Sequence, residues 1–248
     1  MQNLVISLNI KGIGLGDRID WLCTANMIAL RENDMCVSIY KELAFIGWEE
    51  ISSLFKPIKM SLKLLPKYPS SSLNNLNYMN YYTYNISEEN KEYQDLLSFH
   101  KDFPKIKVKD YSEYFPDLPE KFVTMQWDAG RPNLDSIRSN PEFGNRRCST
   151  DEIIRIVNFY NNLGYTVVGV GGQADNDTLR NDLHKIAYIM SKAALHVGVD
   201  SGFMHLAKIV MPSNKIHIYT SNYMHTNTSI HLKNVLKAGA VLNYSRGK

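Results

Sequence analysis

The strongest chemical signal in this chain is an Asp-Ser-Gly turn between two apolar segments. Leu195-His196-Val197-Gly198-Val199 precedes it, and Gly202-Phe203-Met204-His205-Leu206-Ala207 follows. That order reads as strand, tight turn and helix start. Ser201 and Gly202 then offer backbone N–H groups at a helix N-terminus, where unpaired donors and partial positive charge suit a phosphate. Gly202 allows the backbone to approach a ligand closely. His205 lies three residues after Gly202, about one helical turn on, and so faces back toward the same end. Asp200 either binds a substrate hydroxyl or caps the helix. The plainer reading is an ordinary α/β turn with a Ser cap, His205 packing between sheet and loop.

A second window lies near the N-terminus, Leu4-Val5-Ile6-Ser7-Leu8-Asn9-Ile10 followed by Lys11-Gly12-Ile13-Gly14-Leu15-Gly16-Asp17-Arg18. It reads as a strand, a glycine loop and an amphipathic helix running to about Leu30. Glycines at alternate positions differ from the dinucleotide spacing, because Asp17 fills the place of its last glycine. No Gly-Lys-Ser/Thr follows, which excludes a P-loop. Asp17 thus stands on a loop that a substrate can approach. It serves there as a helix N-cap or as a base.

Together the windows resemble glycosyltransferase family 9, the heptosyltransferase-like branch of the GT-B fold. The matching residues are Gly12-Ile13-Gly14-Leu15-Gly16-Asp17, then Asp200-Ser201-Gly202-Phe203-Met204-His205-Leu206-Ala207 with Pro212 and Lys215–Thr220 behind them. Between them, Gly164-Tyr165-Thr166-Val167-Val168-Gly169-Val170-Gly171-Gly172 resembles the family's penultimate donor-domain strand and its glycine turn. The resemblance covers about Lys121–Ser221 and roughly the first 40 residues. It implies an α/β protein of GT-B type: two Rossmann-like lobes with a cleft between them, the N-terminal lobe reduced.

The resemblance also implies a function. A sugar moves from a nucleoside-diphosphate sugar to an acceptor hydroxyl, by inversion and without metal. Asp17 is then the base of a single displacement. Gly16, Gly171, Gly172, Gln173, Asp200, Ser201, Gly202, Phe203 and His205 face the donor. Positive charge for the departing diphosphate comes from Arg18, Arg146 or Arg147. Arg146-Arg147 reads equally as a solvated loop pair, and Arg131 and Arg138 share its loop. No cofactor is expected beyond the co-substrate. Asp175-Asn176-Asp177 lacks the other ligands of a calcium loop, and His217, His225 and His231 have no metal-binding spacing. The acceptor is expected to be a surface glycan or lipopolysaccharide. The alternatives are a hydroxymethylated DNA base, with Lys101, Lys105, Lys107 and Lys109 as a thin basic stripe, and a non-catalytic nucleotide-binding scaffold.

Composition limits the setting. The chain has 248 residues, 44% of them hydrophobic, enough for one large domain or two small ones. A net charge of +3 is too small to argue for nucleic acid or membrane. Cys23, Cys36 and Cys148 are odd in number and widely spaced, which fits a reducing compartment. Met1-Gln2-Asn3-Leu4 opens no signal-peptide pattern, and no apolar run reaches the roughly 20 residues of a membrane span. A cytoplasmic location is the expectation.

These residues need elements to position them. Strands are expected at Val37–Tyr40, Lys121–Gln126, Tyr165–Val170, Leu195–Val199 and Lys215–Thr220, and helices at Leu179–Ala194 and Gly202–Val210. Ser149 and Glu152 have capping-box spacing ahead of a helix with Ile153, Ile156, Val157 and Tyr160 at helical period, and Gly164 fits its C-cap. Between Lys56 and Pro119 the pattern weakens. A Tyr/Asn-rich strand at Tyr78–Ile86 and a helix at Glu88–His100 are the readings there. Strands alternating with helices imply a parallel sheet, whose ligands sit beyond the strands' carboxyl ends. The loops after residues 126, 170, 199 and 220 therefore share one edge. The expected domains are 1–115, an acceptor-side lobe; 116–225, a nucleotide-sugar lobe; and 226–248, a tail packing back on the first.

Overall fold

The computed structural model describes residues 3–6, 15–16, 19, 36–40, 53–54, 61–65, 106, 108–129, 146–171, 174, 179, 182–220 and 230–244. The chain divides into two units, Met1–Lys107 and Val108–Lys248. In the first unit, β1 (Asn3–Ile6), β2 (Cys36–Tyr40) and β3 (Ser61–Leu65) form a parallel sheet in that order. The third strand falls where the sequence pattern is weak. Ser61-Leu62-Lys63-Leu64-Leu65 gains its place from pairing with β2, a non-local contact that periodicity does not register. Tyr78–Ile86 and Glu88–His100 lie outside the described residues.

The second unit is built on β4 (Phe122–Gln126), of which every residue is buried. A strand buried on both sides is expected of a parallel sheet covered by helices. Helix α1 (Thr150–Asn162) follows, then β5 (Thr166–Gly169), α2 (Leu183–Lys192), β6 (Leu195–Gly198), α3 (Gly202–Val210) and β7 (Ile216–Thr220). Helix α4 (Ile230–Lys237) and β8 (Val241–Tyr244) complete it. The five strands are all parallel, in the order β5-β4-β6-β7-β8.

Local chemistry explains the ends of α1. Ser149 Oγ accepts from Glu152 N at 3.3 Å, and Ser149 N donates to Glu152 Oε2 at 2.8 Å, so the capping box forms as its spacing predicts. Such a cap contributes about 1 kcal/mol. At the other end Tyr165 N bonds Tyr160 O at 3.0 Å and Gly164 N bonds Asn161 O at 2.9 Å, the paired Schellman bonds, with Gly164 at φ +78°. Helix α2 starts four residues later than expected. Leu179 is itself helical, but α2 is set off from it at Asp182, whose backbone is extended and whose carboxylate accepts from Lys185 N at 3.0 Å.

Val123 and Met125 on β4 and Val197 on β6 pack with Ile156 and Tyr160 of α1. Strand alternation turns Thr124, Gln126, His196 and Gly198 to the opposite face. The right-handed crossover from β5 past β4 to β6 puts α2 on that face, and α3 packs against α2. Residues 230–244, set apart from the sequence as part of a tail, instead carry the last helix and strand of this unit, with Val241 to Tyr244 pairing along β7.

Candidate active site

The strand order gives the sheet a switch point. From β4 the chain moves to β5 on one side, then crosses back to β6 on the other. Ligands of open parallel sheets bind beyond the carboxyl ends of strands at such a switch point. Here that point lies between Gln126 and Gly198, which are paired in register. The strands run close there. A β-carbon on Gly198 would lie 2.7 Å from Gln126 O, so only glycine fits.

Three loops meet at this edge. The loop after β4 is closed at its base: Asp128 and Arg147 form an antiparallel bridge, Ala129 N bonds Arg146 O at 3.0 Å, and Cys148 N bonds Trp127 O at 2.9 Å. That closure delivers Arg146 to the turn after β6, where its Nε donates to Asp200 O at 2.6 Å. Arg147 turns elsewhere, its exposed guanidinium 3.4 Å from Asp128 Oδ2. Of the two arginines, Arg146 is the one the structure brings to the Asp-Ser-Gly turn. The loop after β5 joins through Gly171, at φ +83°. A β-carbon there would lie 2.8 Å from the Phe203 ring, so Phe203 covers Gly171.

The turn after β6 is buried: Asp200, Ser201 and His205 are 6%, 2% and 3% exposed. His205 Nε2 lies 4.0 Å from Asp200 Oδ1, so the helical return of His205 to the turn is realised. Ser201 is the N-cap of α3 by position, with extended backbone, but its side chain makes no cap bond. Its hydroxyl donates instead to Gln126 Oε1 at 2.6 Å. The Ser cap of the plainer reading is therefore absent. Among the described hydrogen bonds, Gly202 N and Phe203 N have no acceptor. A helix end with donors left open is the arrangement that accepts an anion.

Sequence reasoning missed three residues at or behind this edge. Gln126 ends β4, and Thr124 in mid-strand faces its register partner His196 on β6 behind it. Thr124 Oγ1 and His196 Nδ1 are 3.0 Å apart, and burial pushes the His196 imidazole down to about 3. A polar residue at the carboxyl end of an apolar strand was the available signal for Gln126, read with the crevice rule.

The remaining candidates fall as follows. Gly16 is buried and helical, within the first unit. Asp17, Arg18, Gly172 and Gln173 lie outside the described residues. Among the described residues, no group of three His, Cys, Asp or Glu could hold a metal ion. No described helix is long and apolar enough to cross a membrane.

No family model matches the sequence, and no curated protein matches it either. Solved structures do. A glycosyl transferase of family 9 from Veillonella parvula DSM 2008 is 14% identical, over all of this chain and 88% of its own, with a TM-score of 0.56. The iron-containing dodecameric glycosyltransferase TibC from enterotoxigenic E. coli H10407 is 11% identical over 88% of this chain and 57% of its own, with a TM-score of 0.49. The chain has the fold of the Veillonella protein.

Proposed function

We propose that this protein is a glycosyltransferase. It moves a sugar from a nucleoside-diphosphate sugar to an acceptor hydroxyl on a surface glycan or lipopolysaccharide. The observation that carries the reading is the open N-terminus of α3 at the switch point of the sheet, with Arg146 bonded to Asp200 beside it. The fold shared with a family 9 glycosyl transferase supports it.

In this reading the diphosphate rests on the N–H groups of Gly202 and Phe203. The helix end and Arg146 meet the negative charge that grows on the leaving group as the bond from anomeric carbon to oxygen breaks. His205, buried against Asp200, stands at the same turn. Gly171 and the residues after it, Gly172 and Gln173, take the nucleoside. Asp17 accepts the proton of the acceptor hydroxyl as its oxygen attacks from the opposite side, which inverts the anomeric centre. The charge at the diphosphate is met by the helix end and Arg146, so the proposed reaction uses no metal.

The test is calorimetry against UDP, GDP, ADP and CDP, then turnover of the matching sugar nucleotides with and without glycan acceptors. Micromolar binding of one nucleotide with acceptor-dependent release of it supports the reading. Binding without turnover of any donor favours a non-catalytic scaffold, and no binding at all rejects a donor site.

A further inference from the structure

Gln126 closes β4 and is 2% exposed. Both ends of its amide are engaged. Nε2 donates to Asp128 O, and Oε1 accepts the Ser201 hydroxyl at 2.6 Å. A buried amide bonded at both ends is held in one orientation, and it holds its partner's hydroxyl as well. Serine is favoured at a helix N-cap because its oxygen can accept from the second or third N–H of the helix. In α3 those belong to Phe203 and Met204. Ser201 sits in that position and yet leaves them without a side-chain acceptor. Among the described hydrogen bonds, Met204 N donates to Ser201 O at 3.1 Å.

We infer that Gln126 is a positioning residue: it holds the Ser201 hydroxyl away from the first turn of α3 and so keeps that turn open to an anion. The inference rests on the donor-phosphate reading of the turn. Without the amide acceptor the side chain is free to turn, and the hydroxyl oxygen can then accept from the N–H of Phe203, which has no acceptor among the described hydrogen bonds. The hydroxyl then occupies donors that a phosphate would use. A cap of ordinary strength would weaken anion binding by about 5- to 10-fold.

The experiment compares wild type, Gln126→Met and Gln126→Met/Ser201→Ala. Methionine matches glutamine in length and cannot accept the hydroxyl strongly. Affinity for the four nucleoside diphosphates and amide hydrogen exchange at Phe203 and Met204 are measured on each. Gln126→Met should bind about 5- to 10-fold more weakly and slow exchange at Phe203 and Met204. Ser201→Ala in that background should restore affinity to within about twofold of wild type, because the competing cap is gone. Wild-type affinity in Gln126→Met overturns the inference. So does a loss that Ser201→Ala leaves in place, since that marks a merely structural role. If wild type binds no nucleoside diphosphate, the donor reading fails. Exchange then decides the inference alone: slower exchange in Gln126→Met upholds it and unchanged exchange overturns it. If Gln126→Met does not fold, Gln126→Glu replaces it. Its carboxylate still accepts the hydroxyl, so exchange at Phe203 and Met204 should match wild type, and slower exchange overturns the inference.

Discussion

Arg146 donates through Nε to the backbone oxygen of Asp200 at 2.6 Å, across 54 residues of sequence. Nε is used by that bond, and the two Nη groups carry the rest of the guanidinium's donors. Arg147 differs in every respect: it is exposed and pairs with Asp128 at the surface. Arg146→Ala should therefore weaken nucleoside diphosphate binding by about 10- to 100-fold, the usual effect of losing a charge-assisted hydrogen bond. Arg147→Ala should change it by less than about 3-fold, since exposed pairs contribute little. Isothermal calorimetry on both variants checks the contrast, and equal losses would refute the assignment of Arg146.

Gly202 opens α3 at the proposed phosphate seat. Gly202→Val puts a branched side chain where the anion approaches, and affinity should fall by about 10-fold or more. The fold should persist in circular dichroism, because a first-turn residue of a helix tolerates a side chain. Unchanged affinity would remove the phosphate from this turn.

Asp17→Asn keeps size and some capping ability but removes the basic site. If Asp17 is the base, kcat should fall by about 10²–10⁴-fold while donor affinity holds. Asp20→Asn, one turn on, is the control. Near-normal turnover in Asp17→Asn would reject the assignment. Loss of folding in that variant would point to a capping role.

Gly171 combines a positive φ of 83° with a Phe203 ring 2.8 Å from where a β-carbon would stand. Gly171→Ala should cost about 1–2 kcal/mol from the left-handed backbone alone, and more from the clash. Adding Phe203→Ala should recover only the clash. Urea denaturation of the single and double variants separates the two parts, and full recovery would mean that the backbone costs nothing.

His196 is fully buried, and burial lowers its imidazole from 6.5 to about 3. The unfolded chain therefore binds a proton that the folded one refuses between those values. This contribution is complete above pH 6.5 and falls as the pH drops toward 3, by about 1.4 kcal/mol per pH unit. His196→Gln lacks that titration, so its stability relative to wild type should rise steadily on acidification. Parallel stability curves for the two proteins from pH 7 to pH 4 would show that His196 titrates alike folded and unfolded.

Much of the second unit was legible in the sequence for one physical reason: its signals are local. The Ser149–Glu152 box and the Gly164 cap involve residues within one or two turns of each other, so spacing alone predicts them. The bounds of α3, Gly202–Val210, follow from an Asp-Ser-Gly break and an apolar period. The shared edge of the loops follows from alternation of strand and helix. Where the local pattern was weak, as at Ser61–Leu65, a neighbouring strand decided the outcome, and at Asp182 an extended cap residue set the start of α2.

The sequence by itself determined that a helix begins at Gly202 after a strand, because chain-neighbour hydrogen bonds and apolar periodicity are written in consecutive residues. It also marked Ser201, Gly202 and His205 as one group, since a helical turn returns residue i+3 to the same end. Only the tertiary structure decided that the Ser201 hydroxyl leaves this helix end uncapped. That outcome depends on β4 lying between β5 and β6, which sets Gln126 beside a serine 75 residues away and draws its hydroxyl off the helix. It likewise decided that Arg146 and not Arg147 reaches the turn, because a bridge between Asp128 and Arg147 fixes which of two adjacent side chains faces inward. Strand order and side-chain direction across a sheet are products of packing between distant segments, and neither segment carries them alone.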